Sequence, residues 1–171
     1  WISSSAVFKG DIPVTVENQT KVPANLYGLQ KSIVEDQIMA HGYLDSRVAI
    51  VRITKVVDPD FWPISRIVAK DMELVCSSDI WISPVSIRYV SSCLTKLISI
   101  FSPGLFSISG QENISYFDFA SLVKKRAGNT ETTILKQSHL SSGTDSPVCS
   151  HATLPGRKML ERFGVKRQSI D

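Results

Sequence analysis

Tyr27 and Lys31 stand four residues apart in Tyr27-Gly28-Leu29-Gln30-Lys31, a spacing that on a helix sets one side chain a turn above the other. A phenol and an ammonium then face one pocket. Free tyrosine titrates near pH ~10, and a neighbouring cation favours its phenolate. Such a pair can therefore trade a proton with a bound carbonyl or alcohol closer to neutral pH. The spacing alone is also common on solvated helices, and it gains meaning from Ser3-Ser4-Ser5 upstream. These serines fall at the C-terminal end of a strand-like run, the edge at which open α/β sheets place their ligands. A hydroxyl, a phenol and an ammonium are thus expected to converge there.

Elements of suitable type surround these residues. The apolar run Trp1 to Phe8 reads as a strand, and Lys9 to Asn25, with Gly10, Pro13 and Pro23, reads as a surface connection. From Leu26 to His41 the pattern is helical, with Ile33, Val34, Ile38 and Met39 on the side expected to face inward and Gly42 as the stop signal. Arg47 to Ile53 is a β-branched run without strict alternation, as expected for a strand covered on both faces. Strand, helix, strand at this spacing predicts a parallel α/β unit. Further on the pattern predicts a short helix at Pro63 to Lys70, a strand at Ile80 to Val85 and a helix at Ile87 to Phe101 with Val90, Leu94, Leu97, Ile98 and Phe101 as its stripe. A strand at Leu105 to Ser109, a helix opened by the capping-box-like pair Ser115 and Asp118, and a last helix at Leu154 to Phe163 complete the reading. The Ser/Thr-rich stretch from Gln137 to Ser150 is expected to be a mobile or ligand-gated loop.

Composition narrows the class. With 171 residues, 43% hydrophobic and 20% charged, the chain has the makeup of a folded domain rather than a disordered or fibrous one. A net charge of +3 with scattered basic residues does not call for a nucleic acid. The clusters Lys124-Lys125-Arg126 and Arg157-Lys158 read as solvated helix faces. No apolar run reaches the ~18 residues of a membrane span. The three cysteines, Cys76, Cys93 and Cys149, form no C-x-x-C, so buried thiols in a cytoplasmic protein are expected, with no disulfide framework and no metal site. The sequons at Asn18 and Asn113 would matter only in a secreted protein. Because the chain opens on Trp1 inside a strand, without an initiator methionine, a fragment is expected.

Ser4, Tyr27 and Lys31, with Ala6-Val7-Phe8-Lys9-Gly10 after the serines and Pro23-Ala24-Asn25 before the tyrosine, resemble the extended short-chain dehydrogenase/reductases. The likeness is to the dTDP-4-dehydrorhamnose reductase branch. There a strand of the type S-T-D-Y-V-F-D-G precedes N-x-Y-G-x-x-K-x-x-x-E, and Asn25, Tyr27, Gly28, Lys31 and Glu35 fill the second pattern. Val51-Arg52-Ile53-Thr54 resembles the family's next strand, Ile82 to Val85 its entry to the substrate lobe, and Phe106 to Ala120 its strand-glycine-helix segment. Four departures stand out. Ser4 replaces a usual Thr, Ser5-Ala6 replace Asp-Tyr, Lys55 replaces a common aromatic, and no G-x-x-G-x-x-G follows a strand.

The resemblance implies an α/β fold: the C-terminal part of a Rossmann-type parallel sheet with a small α+β substrate-binding lobe. Residues 1–57 would carry the Rossmann part with the Ser/Tyr/Lys site, and 58–171 mainly the lobe, with segments returning to the sheet. The implied activity is NAD(P)H-dependent reduction of a keto-sugar nucleotide, in nucleotide-sugar or cell-surface polysaccharide biosynthesis. Tyr27 would donate the proton, Lys31 would favour its phenolate and hold the nicotinamide ribose, and Ser4 would orient the carbonyl. Arg52 and Thr54 join Tyr27 and Lys31 as cofactor contacts, while Ser5, Ala6, Phe8, Asn25, Asp79 and Trp81 are expected on the substrate. The expected partner is a sugar nucleotide, without nucleic acid or membrane span, and with homodimer formation left open. An NDP-sugar epimerase or dehydratase, or a catalytically silent sugar-nucleotide-binding or regulatory protein, is the alternative reading.

Overall fold

The computed structural model describes residues 1–139 and 149–170. Its organising element is a three-stranded sheet in which β2 (Ala49–Ile53) lies between β1 (Ile2–Ser4) and β7 (Gly104–Ile108), all parallel. Helix α1 (Leu26–Ala40) makes the crossover from β1 to β2. The chain leaves this sheet through β3 (Lys55–Val57), α2 (Ile64–Val68), β4 (Glu73–Ser77) and the short strands β5 (Trp81–Ile82) and β6 (Pro84–Ser86). It returns through α3 (Ile87–Ser99) to β7, then forms β8 (Ile114–Ser115), α4 (Tyr116–Arg126), β9 (Thr133–Gln137) and α5 (Arg157–Phe163). The predicted first strand stops at Ser4, where a 3-10 turn at Ser5–Val7 takes over. Most of the Gln137 to Ser150 loop expectation lies outside the described residues.

Strand residues alternate between the two sides of a sheet, and here the sides differ in chemistry. On one side Ala49, Val51, Ile53, Phe106 and Ile108 pack against Val90, Cys93 and Leu97 of α3 and Met159 and Phe163 of α5. Burying each of the larger side chains is worth about 1.5–3 kcal/mol. On the other side Ser3, Arg52 and Ser107 stand in register across the three strands and all are buried.

Helix α1 meets that polar row with Gly28, Ser32 and Glu35, its buried residues. This corrects the expected inward stripe: Ile33 is 48% exposed, and Val34, Ile38 and Met39 are half-buried. The cause is the buried pairing of Glu35 with Arg52, which fixes the helix's rotation. In α3 likewise only Val90 and Leu97 of the expected stripe are buried, joined by Cys93, while Ile98 and Phe101 lie at the exposed end.

The lobe is a second, smaller core. Strands β4 and β9 pair in parallel, and Ile67, Leu74, Cys76 and Ala120 pack together with Tyr116, Phe117, Val123 and Ile134 around them. Ser115 caps α4 as the sequence predicts: its Oγ accepts from the Asp118 N–H at 3.0 Å and donates to Asp118 Oδ2 at 2.6 Å. Among the described residues no helix is long and apolar enough to cross a membrane.

Candidate active site at the edge of the parallel sheet

The position of Tyr27 is set by main-chain contact. Asn25, extended and just ahead of α1, accepts the Gly28 N–H on its Oδ1 at 2.8 Å, satisfying one of the otherwise unpaired donors of the first turn. A Cβ on Gly28 would lie 1.9 Å from the Ala6 carbonyl oxygen. Only glycine lets the helix start press against the Ser5–Val7 turn. Ser4 begins that turn, its Oγ accepting the Ala6 N–H at 3.2 Å. Its own O–H remains free to donate into the space ahead of it.

That space is a cavity of about 590 Å³. Ser4, Ser5, Ala6, Phe8, Asn25, Tyr27, Thr54 and Trp81, all expected at the site, line it. Tyr27 is 53% exposed, so its hydroxyl is accessible to a ligand. Thr54 lies on the cavity wall, and its hydroxyl is buried with no hydrogen-bond partner among the described residues. Lys31 stands behind the tyrosine. Its Nζ donates to the Ile2 carbonyl at 3.0 Å and lies 4.6 Å from the Trp1 ring centroid and 5.7 Å from that of Tyr27.

Of the residues expected at the site, Lys31, Arg52 and Asp79 do not line the cavity. The Arg52 guanidinium, 1% exposed, donates to both carboxylate oxygens of Glu35 at 3.0 and 2.6 Å and to the Glu17 carbonyl at 2.6 Å. Its face stands 4.9 Å from the Phe8 ring centroid. With its donors so engaged, Arg52 holds the helix and the Phe8 wall instead of the expected cofactor contact. Burial opposes the charged form of Glu35, but the Arg52 hydrogen bonds, with Lys21 beyond at 3.4 Å, outweigh it and hold the carboxyl below its ordinary range. Asp79 accepts from the Ser77 hydroxyl at 2.8 Å, from the His139 N–H at 2.7 Å and from the Ser138 hydroxyl. It organises a loop, in place of the substrate contact expected of it.

Several lining residues carry chemistry but were not assigned to the site by the sequence reading: Lys9, Lys55, Tyr116, Cys149 and His151. Tyr116 had a signal, since it follows the Ser115 cap and must point from the start of a helix. The others come from loops and a strand end, where no periodicity marks a direction. Cys149 is a free thiol pushed up from its ordinary range by burial.

The family model described as RmlD substrate binding domain matches residues 1–170. Among solved structures, dTDP-4-dehydrorhamnose reductase from Bacillus anthracis str. Ames in complex with NADP superposes with a TM-score of 0.84 at 22% identity, over 99% of this chain and 60% of that one. The reductase of the same name from Yersinia enterocolitica gives 0.82 at 20%, over 99% and 61%. MoeE5 in complex with UDP-glucuronic acid and NAD gives 0.76 at 18%, over 98% and 58%. At these identities the likeness establishes the fold, a Rossmann-like α/β arrangement with parallel sheets. The chain spans about three fifths of the length of these proteins. The comparison with curated proteins gives no match.

Proposed function

The chain belongs to the RmlD substrate binding domain family, and from that premise we propose that it carries the proton-transfer and sugar-nucleotide-binding side of a nicotinamide-dependent keto-sugar nucleotide reductase. The observation that carries this reading is the convergence of Ser4 and Tyr27 on one cavity at the C-terminal edge of a parallel sheet, with Lys31 behind the phenol. In the division that follows, residues 1–57 belong to the Rossmann part and the later residues mainly to the substrate lobe, with β7, α3 and α5 returning to the sheet.

The donor set fits a nicotinamide nucleotide. The unpartnered Thr54 hydroxyl and the Lys31 ammonium, which keeps donors beyond the one given to Ile2, would hold it. When bound, the nicotinamide supplies the hydride. Ser4, whose oxygen already accepts the Ala6 N–H, donates a hydrogen bond to the substrate carbonyl oxygen and orients it. Tyr27 Oη gives its proton to that oxygen as it becomes an alcohol, and the Lys31 charge stabilises the phenolate left behind. Trp81 and Tyr116 offer apolar faces with a polar tip for the remainder of the substrate.

In an absorbance assay at the nicotinamide band with a keto-sugar nucleotide, Tyr27→Phe is expected to lower turnover by ~10²-fold or more, the usual scale for general acid catalysis, with the melting curve unchanged. Unchanged turnover would move the proton donor elsewhere. Sugar-nucleotide binding without oxidation of the cofactor on any substrate would support the silent binding module instead.

A further inference from the structure

Among the described residues no aspartate or glutamate lines the cavity, whose lining includes Lys9, Lys55 and His151. Lys9 is spoken for by Asp11 at 3.1 Å. Lys55 is different. It is exposed, its Nζ stands 5.5 Å from the Phe61 ring centroid, and among the described residues no carboxylate or hydrogen-bond acceptor pairs with it. An ammonium held against an aromatic face keeps its donors for a ligand.

The fold also fixes which part of a ligand Lys55 meets. Ser4 is in register with Ile53 on the neighbouring strand, and Lys55 follows two residues later. One strand spacing and two residues of rise put its backbone about 8 Å from Ser4, within the span of one sugar ring and a lysine side chain. A ring whose reacting carbon lies within hydrogen-bond reach of Ser4 and Tyr27 therefore presents its own substituents to Lys55.

We propose that Lys55 binds a carboxylate carried by the sugar itself, so that the site takes nucleotide-linked sugar acids in preference to neutral sugars. The proposal rests on the sugar-nucleotide reading of the cavity and names the substrate class. Lysine offers a charge-assisted hydrogen bond, in a cavity whose described lining residues include no acid to repel the ligand.

The test is calorimetric titration of the protein with UDP-glucuronic acid against UDP-glucose, and with the dTDP-linked pair, for the wild type, Lys55→Gln and Lys55→Arg. The expected result is about tenfold tighter binding of the sugar acid, on the scale of one charge-assisted hydrogen bond. Lys55→Gln should remove that preference while leaving the neutral sugar nucleotide bound as before, and Lys55→Arg should restore it. Equal wild-type affinity for acid and neutral sugars overturns the proposal and leaves the sugar-nucleotide reading intact. A Lys55→Gln loss shared equally by both sugars and by the free nucleoside diphosphates overturns it too, because Lys55 would then read the diphosphate. Failure of every sugar nucleotide to bind overturns the underlying reading, and this proposal with it.

Discussion

The two sides of the central sheet are built from opposite materials. Toward α3 and α5 the strands offer Val51, Ile53, Phe106 and Ile108 to an ordinary apolar core. Toward α1 they offer the row Ser3, Arg52, Ser107, answered by Gly28, Ser32 and Glu35. An apolar contact tolerates small rotations of a helix, since it is non-directional and roughly proportional to the area buried. A two-point guanidinium–carboxylate pair does not, because both N–H···O bonds must stay aligned. The side holding Tyr27 and Lys31 is the directional one, and we read the difference as stability on one side and registration on the other.

The largest expected effect comes from breaking the polar side. Arg52→Met leaves the buried Glu35 without its two guanidinium hydrogen bonds, with only Lys21 at 3.4 Å, and should cost about 3 kcal/mol in a denaturant titration. Replacing both, as Glu35→Met with Arg52→Met, should recover most of that loss. A double-variant loss equal to the sum of the two single-variant losses would mean that the two residues are not coupled. On the apolar side Leu97→Ala should cost about 3 kcal/mol through lost burial and a residual cavity, and the loss should not change with pH.

Acid sharpens the contrast. The folded-state pKa of Glu35 lies below its ordinary value of 4.5, so its contribution is complete above that value. It is lost as pH falls through the lower folded-state value. Stability measured from pH 6 downward should therefore fall less steeply in the Glu35→Met, Arg52→Met double variant than in Leu97→Ala, which keeps the pair. Parallel acid limbs would remove Glu35 from the account. The smallest effect is expected at Ile33→Gln, within about 0.5 kcal/mol, because the side chain is 48% exposed. A cost of 2 kcal/mol or more would show that the apolar side of α1 is covered in solution.

The same asymmetry governs what could be read in advance. The β-branched run before Ile53, the Ser115–Asp118 cap and Val90 with Leu97 of α3 all follow from periodicity and capping, and they lie where the structure has them. Ser4 and Tyr27 were legible from the end of one strand and spacing on one helix, whereas Asn25 came from the family resemblance. The rotation of α1 was not. Hydrophobic spacing chose Ile33 and Ile38, whereas the pairing of Glu35 with Arg52, 17 residues away, sets the helix, and no local pattern announces a contact of that kind. Asp79 was expected on the substrate with Trp81, and it accepts from Ser138 and His139, 59 and 60 residues on. Short strands such as β4 and β9 escaped because each buries only part of its length.

The contact between Gly28 and the Ala6 carbonyl bears on how this cavity can be retargeted. The helix start that carries Tyr27 rests, at Gly28, on the main chain of the turn that Ser4 begins. Residues 5, 6, 55 and 81 can then be exchanged one at a time to suit a new sugar or base while the reacting pair keeps its setting. Chemistry and selectivity become separable in the hands of a designer, with position 28 as the one place where a single added methyl group would disturb the former.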